Sequence, residues 1–228
     1  MKTMERLLDD SALTVTGQTL AENLQQAAVF SPEIIRPMTD PVHPYGGIAI
    51  LRGNLAERGA VIKQVAVKED LWRFTGEARV FNSEEEALAG LGSGQIKQGQ
   101  VVVIRYEGPK GGPGMREMAL FRAALKFAGM GDTNYIVTDG RFSGYSEGPS
   151  IGYLCPEAAE GGTIALVENG DPIEIDVENR LLRLKVPENE LKRRRENLVH
   201  PPKKYPKGYL DIYARMVSSA DQGGVMGG

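Results

Sequence analysis

Apolar residues first recur at a helical interval in "TGQTLAENLQQAAVF", residues 16–30, where Leu20, Leu24 and Ala27–Ala28 follow threonines suited to capping. A short amphipathic helix is expected there. The next stretch, "SPEIIRPMTDPVHPYGG", carries Pro32, Pro37, Pro41 and Pro44, each of which fixes φ and removes a backbone donor, so regular structure is not expected. At Gly46–Gly47 the pattern changes, and "IAILRGNLAERGAVIKQVAV" reads as two short apolar strands around a turn region. Residues 1–45 therefore read as an N-terminal helix and proline-rich arm, and residues 46–228 as one compact α/β domain.

Within that domain "EARVFNSEEEALAGLGSG" predicts a strand ending at Phe81, a cap at Asn82 or Ser83, and a helix with an acidic first turn that stops near Gly90–Gly94. "GQVVVIRYEG" is a continuous β-branched run, the pattern of a central strand covered on both faces. After "PKGGPG", the segment "MREMALFRAALKFAGMG" places Met118, Phe121, Leu125 and Phe127–Ala128 on one helical face and closes with glycine. "NYIVTDG" is the next buried strand. Strand, loop, helix, strand is the βαβ order, which sets the loops after both strands at one carboxyl edge of a sheet. Further on, "GGTIALVENGDPIEIDVENRLLRLKV" reads as a β-meander, "PENELKRRRENL" as a charged helix and "GYLDIYARMVSSA" as a terminal amphipathic one.

Composition narrows the classes. The 228 residues are 41% hydrophobic, enough for an ordinary core, and 27 basic against 30 acidic residues leave a net charge of -3, so no electrostatic footprint for nucleic acid is present. The basic run in "LKRRRE" reads as a solvated helix face. No apolar stretch approaches the roughly 20 residues of a membrane span, and "MKTMERLLDD" lacks the apolar core of a signal peptide, so a cytoplasmic setting is expected. Cys155 is the single cysteine. It reads as a buried, inert thiol, and the chain cannot by itself supply the thiolates of an iron–sulfur cluster. His200, before two prolines, reads as an exposed connector residue; His43, beside Gly46–Gly47, is the better binding candidate.

Two loops hold the candidate chemistry. "YEGPKGGPGMREM" is not a phosphate loop, because Met115–Arg116 stands where a lysine and a hydroxyl residue are needed, and "GSGQIK" has Lys97 in place of the third glycine of a dinucleotide fingerprint. What remains is a loop that lets a ligand approach backbone amides and delivers Glu107 before it and Glu117 after it, the latter in the first turn of the following helix. Glu117 has two readings: a carboxylate favoured by the helix dipole, or one of the oxygen ligands of a hard cation such as magnesium. In "TDGRFSGYSEG", Ser143 is either a turn former or an acid–base group. The spacing does not fit a hydrolase elbow, and neither histidine is placed to complete a triad. A nearby metal would acidify the hydroxyl and let Ser143 act as a base.

The blocks "TGQTLAENL", "DPVHPYGGIAILRGNLAERGAVIK", "EGPKGGPGMREM", "TDGRFSG" and "PEAAEGGTIALVENGDPIEID" resemble, in order, the carboxyl-terminal half of the dihydroxy-acid dehydratase family, whose wider group includes phosphogluconate and sugar-acid dehydratases. The resemblance implies a mixed β-barrel-like sheet flanked by helices, with residues 1–45 as an arm that packs on the other half. It implies removal of water from a 2,3-dihydroxy acid by way of an enol, with Mg2+ and an iron–sulfur cluster between two domains. The amino-terminal half of the family supplies three cluster cysteines and most metal ligands. The carboxyl-terminal half supplies a glutamate ligand, matching Glu117, and a serine proton acceptor, matching Ser143, with Gly144, Tyr145 and Ser146 as substrate contacts. Magnesium would hold the substrate carboxylate and 2-hydroxyl, and the cluster iron would act on the leaving 3-hydroxyl.

The implied partners are a separate cysteine-bearing amino-terminal half, the dihydroxy acid, and further copies in a homo-oligomer. "EGPKGGPGM" favours the branched-chain dihydroxy-acid type, whereas Tyr145, in place of a small residue, and Tyr153, in place of histidine, depart from the family and leave a sugar acid open. An alternative of another class is a non-catalytic module that accepts small carboxylates at the Gly111–Gly114 loop.

Overall fold

The computed structural model describes residues 1–144 and 146–227. The chain divides into two compact units, Met1–Gly46 and Gly47–Gly228. In the first, a 3-10 turn spans Lys2–Leu7 and helix α1 spans Leu20–Leu24. The helix expected over residues 16–30 is shortened at both ends. Asn23 donates to the hydroxyls of Thr14 (2.7 Å) and Thr16 (3.0 Å), and Gly17 takes φ +77, so residues 14–18 form a side-chain-stabilised turn that competes with helix. Thr19 then opens α1 with a capping box to Glu22. No residue from Gln25 to Phe30 is buried, and the helix ends where its burial ends.

The second unit contains β1 (Ala49–Gly53), β2 (Ala56–Ile62), β3 (Arg73–Phe81), α2 (Glu84–Gly92), β4 (Val101–Ile104), α3 (Ala119–Phe127), β5 (Tyr135–Thr138), β6 (Ser150–Cys155), β7 (Pro172–Asp176), β8 (Leu181–Leu184), α4 (Glu188–Glu196) and α5 (Tyr209–Met216). The strands close a barrel in the order β1-β2-β6-β5-β4-β3-β7-β8. β3, β4, β5 and β6 run parallel, while β1–β2, β2–β6, β3–β7 and β7–β8 are antiparallel pairs. This is the mixed, barrel-like α/β sheet that the resemblance implied.

The β-branched run is covered on both faces. Val101 and Val103 pack with Tyr135, Val137, Leu51 and Leu154 in the barrel core, whereas Val102 and Ile104 pack with Ile136 against Ala87 of α2 and Phe121 and Leu125 of α3. Ser83 caps α2 by accepting from the Glu86 amide at 3.1 Å, and Glu84, Glu85 and Glu86 form its acidic first turn. α2 and α3 are the crossovers from β3 to β4 and from β4 to β5. Among the described residues, the crossover from β5 to β6 has no helix; the loop that carries Ser143 makes it.

Two segments depart from the sequence pattern. β6 was not anticipated, because Gly152 and the left-handed Tyr153 (φ +55) interrupt its apolar run. "TIALV", expected as a strand, is a buried 3-10 turn over Thr163–Leu166. There the Arg105 guanidinium collects the carbonyls of Ala165 (2.6 Å), Val167 (3.1 Å) and Ile164 (3.2 Å), which a sheet ladder would otherwise have used. Among the described residues, no helix is long and apolar enough to cross a membrane.

Leu154 is fully buried in the barrel core. Leu154→Ala should therefore lower unfolding stability by about 2–5 kcal/mol, measured by urea denaturation, because the barrel cannot collapse around the lost volume. A loss well under 1 kcal/mol, with that figure taken as roughly the limit for a surface site, would place Leu154 outside a packed core.

Candidate functional site at the carboxyl edge of the parallel strands

The chain leaves β4 through Tyr106, whose left-handed φ of +63 turns Glu107 and the glycine-rich loop back across the barrel edge. It leaves β5 at Asp139, which is completely buried. The Asp139 carboxylate accepts hydrogen bonds from the amides of Glu107 (2.9 Å), Ala158 (2.9 Å) and Tyr106 (3.1 Å), so it ties the two loops and the segment after β6 together. Burial pushes its pKa up, and the three amides oppose that rise.

Beyond this pin the loops pair directly. Glu117 forms an isolated parallel bridge with Arg141: the Met118 amide donates to the Arg141 carbonyl (3.0 Å) and the Arg141 amide to the Arg116 carbonyl (3.2 Å). Gly140 permits the approach, since a Cβ there would lie 3.0 Å from the Glu107 Cβ and 3.2 Å from the Arg116 carbonyl oxygen. The bridge corrects one expectation. Glu117 is not in the first turn of a helix, because it is engaged in the bridge with Arg141 and α3 starts at Ala119, after the N-cap Met118.

The glycine-rich loop also differs from its expected role. Its amides are turned inward: Glu157 accepts from Lys110 (2.9 Å) and Gly111 (2.8 Å), and the Gly112 amide donates to Gly108 (2.8 Å). Pro113 has no amide to offer. The amides of Gly111 and Gly112 are thus spent within the protein and are not offered to a ligand. Burial, with the Asp139 charge added, pushes the Glu157 carboxyl up to about 7. Glu107 is likewise internal: fully buried, it accepts from the Glu84 amide (2.9 Å) and lies 2.6 Å from the Lys204 ammonium. Of the two carboxylates flanking the loop, Glu117 alone reaches solvent; its side chain is 29% exposed, with Arg141 Nη1 at 3.6 Å.

Ser143 lines a cavity of about 400 Å³ together with Lys63, Gly144, Ser146, Ser150 and Tyr153. The Ser146 amide donates to the Ser143 carbonyl (3.1 Å), the Tyr153 hydroxyl to the Phe142 carbonyl (2.8 Å), and the Lys63 ammonium to the Gly144 carbonyl. The Gly148 amide, bonded to the Ala66 carbonyl at 3.0 Å, fixes the far end of the loop. Gly144 and Ser146 thus share the Ser143 cavity, while Tyr145 lies outside the described residues. Glu117 does not line this cavity. Ser143 stands two residues beyond Arg141, the bridge partner of Glu117. The structure sets the two loops side by side at one edge.

A larger cavity of about 600 Å³ lies between Tyr106, Lys110 and the segment from His200 to Tyr205, and includes neither Glu117 nor Ser143. His200 is the exposed connector expected, with Nδ1 3.4 Å from the Tyr106 hydroxyl. His43 stacks on Tyr45 within the first unit, ring centroids 5.7 Å apart. Cys155 is buried, 3.6 Å from the Ser219 hydroxyl, and burial pushes its thiol pKa up.

Among the described residues, no group of three or more His, Cys, Asp or Glu side chains could hold a metal ion. A single, partly exposed carboxylate suits one ligand of magnesium, which usually takes one or two carboxylates with water and substrate oxygens. A lone buried thiol does not suit an iron–sulfur cluster. Sequence reasoning missed Asp139, Glu157, Lys63 and Ser150. Asp139 had a faint signal, standing at the end of a buried strand; Glu157 had none, since its partner Gly111 is 46 positions away.

Sequence comparisons add the relatives. The profile of the family described as "Dihydroxy-acid/6-phosphogluconate dehydratase C-terminal" matches residues 33–224. The chain is 56% identical over 220 residues to a dihydroxy-acid dehydratase of Moorella thermoacetica, and 53% identical over 220 residues to one of Ignicoccus hospitalis, covering 96% of this chain and 40% of each relative. It is 49% identical over 230 residues to one of Methanosarcina barkeri, covering 99% of this chain and 41% of that relative. The chain thus spans about two fifths of the length of these relatives.

The raised pKa of Glu157 has a measurable sign. A carboxyl at about 7 in the folded chain, against an ordinary 4.5, holds its proton more tightly than in the unfolded chain. Its contribution is fully present below pH 4.5 and is lost as pH rises through about 7. Relative to Glu157→Gln, the original chain should lose up to about 3 kcal/mol across that window in urea denaturation. Parallel stability profiles for the two proteins would contradict the assignment.

Proposed function

Because the chain belongs to the dihydroxy-acid/6-phosphogluconate dehydratase C-terminal family, we propose that it forms one wall of a hydro-lyase site that dehydrates a 2,3-dihydroxy acid to a 2-oxo acid. The substrate of this reading is of the 2,3-dihydroxy-3-methylbutanoate type used in branched-chain amino-acid biosynthesis. A separate amino-terminal portion, which binds the iron–sulfur cluster, forms the opposite wall. The observation that carries the reading is the parallel bridge of Glu117 with Arg141, which sets a solvent-reaching carboxylate beside the Ser143 loop. A cytoplasmic setting and a homo-oligomeric assembly belong to the same proposal.

In this reading Ser143 Oγ, as the alkoxide, takes the proton from C2 of the substrate. The electron pair left behind forms the C2–C3 double bond, and the C3 hydroxyl departs as water with a proton from the site. The enol then returns to the 2-oxo acid. Gly144 and Ser146, lining the same cavity as Ser143, border the substrate. Glu117 would hold magnesium through one carboxylate oxygen, and the ion would supply the positive charge that acidifies the C2 proton and a neighbouring hydroxyl. The pinned loops contribute position: Asp139 and Glu157 fix the backbone that carries both groups. Cys155, buried beside the Ser219 hydroxyl, takes no part.

Assembly with the amino-terminal portion under anaerobic conditions tests the reading. In the reconstituted complex Ser143→Ala should lower kcat by about 10²–10⁴-fold while assembly is unchanged. Normal turnover by that variant would remove Ser143 from the mechanism. Glu117→Gln should raise the magnesium concentration for half-maximal activity by about tenfold or more, because a charged oxygen ligand becomes neutral. An unchanged magnesium requirement would release Glu117 from metal binding.

A further inference from the structure

Among the described residues, the cavity beside Ser143 has one charged lining residue, Lys63, and no aspartate or glutamate in its wall. Lys63 directly follows β2, in which Val61 pairs with Gly152 and Ile62 with Ile151 of β6. Ile62 with Ile151 is the last pair of that ladder, and Lys63 and Ser150, the next residue on each segment, both line the cavity. The Lys63 ammonium has three donors and spends one on the neutral carbonyl of Gly144. Among the described residues it forms no ion pair. Glu147, on the same loop, is committed to Lys126, which with Arg122 and then Lys63 holds its carboxyl below the ordinary value.

Ser150 supplies an independent observation. The residue is 7% exposed, and its hydroxyl oxygen is buried without a hydrogen-bond partner. A buried hydroxyl left unpaired is costly, and Ser150 lines the same cavity as Lys63. Beside Ser143, Ser146 and Tyr153, the wall carries an apolar side made by Ile48, Val61, Val65 and Phe142. A cation with spare donors, an orphan hydroxyl and an aliphatic wall together match a small organic acid, its charged end on one side and its hydrocarbon body on the other.

We infer that Lys63 and Ser150 form a carboxylate receptor in the Ser143 cavity, holding a small aliphatic monocarboxylic acid by an oxygen of its acid group. The inference rests on the dehydratase reading only for the identity of that acid. A carboxylate has two oxygens, so a receptor for one leaves the other to a metal. Lys63 and Ser150 then fix the end of the substrate from which the position of C2 relative to Ser143 is measured.

The test is a titration of the full chain with 2-hydroxy-3-methylbutanoate, with its methyl ester as the uncharged control, followed by the backbone amide resonances. The acid should bind saturably and shift the amides of Ser143, Gly144 and Gly148, while the ester should not. Lys63→Met should weaken binding by about tenfold or more, and Lys63→Arg should stay within about threefold of the original. Ser150→Ala should weaken binding by about threefold yet leave the unfolding midpoint of the ligand-free chain unchanged or higher, since it removes an unpaired buried group. Equal affinity for acid and ester, unaltered binding by Lys63→Met and Ser150→Ala, shifts confined to other loops, or no saturable binding would each overturn the receptor. The titration involves no turnover. An inactive reconstituted complex would end the dehydratase reading and leave the receptor standing, and an active complex whose Lys63→Met chain binds normally would do the reverse.

Discussion

Main-chain amides from three separate segments, at Tyr106, Glu107 and Ala158, converge on the buried carboxylate of Asp139. Taking a carboxylate out of water costs several kcal/mol, roughly, and here charge-assisted hydrogen bonds offset that cost. The geometry is what the cost secures. Asp139 ends β5 and begins the Ser143 loop; Tyr106 and Glu107 end β4 and begin the glycine-rich loop; Ala158 follows Glu157, which winds that loop around its own carboxylate. With one side chain, the ends of two parallel strands and the return from a third are set in register.

Acidic residues at this edge divide by exposure into two kinds. Glu84, Glu107, Asp139 and Glu157 are buried, and each is bonded to backbone amides on other segments. They act as fasteners. Glu117, raised clear of the interior by the bridge to Arg141, is partly exposed and able to meet a ligand. Lys204 shows the same economy, since a lysine from a proline-rich connector reaches inward to the buried Glu107. Groups that look catalytic by residue type are therefore structural by environment, and the candidate site keeps few of them for chemistry.

Much of the architecture was legible in local pattern. The run from Val101 to Ile104 announced a strand covered on both faces, and "NSEEEALAGLGSG" gave both ends of α2 from its cap, its acidic first turn and its glycines. The blocks around Glu117 and Ser143 identified the family. Pattern failed where a distant partner competed for the backbone. Residues 163–166 have strand-like composition, yet Arg105 takes their carbonyls and holds them as a 3-10 turn. Glu117 stands in a segment with a helical stripe, yet the Arg141 carbonyl takes the amide of Met118 and the helix begins later.

The sequence by itself determined the periodicities, the caps and turns, the single cysteine, and the two loops that hold the candidate residues Glu117 and Ser143. Those features depend on neighbours within a few positions along the chain, so the order of residues is enough to express them. Tertiary structure alone decided which carboxylates are buried, which amides the glycine-rich loop spends internally, and that Lys63 and Ser150 line one cavity. The physical reason is that burial, and hydrogen bonds between groups many residues apart, are created by closure of the barrel and leave no periodic trace in the chain.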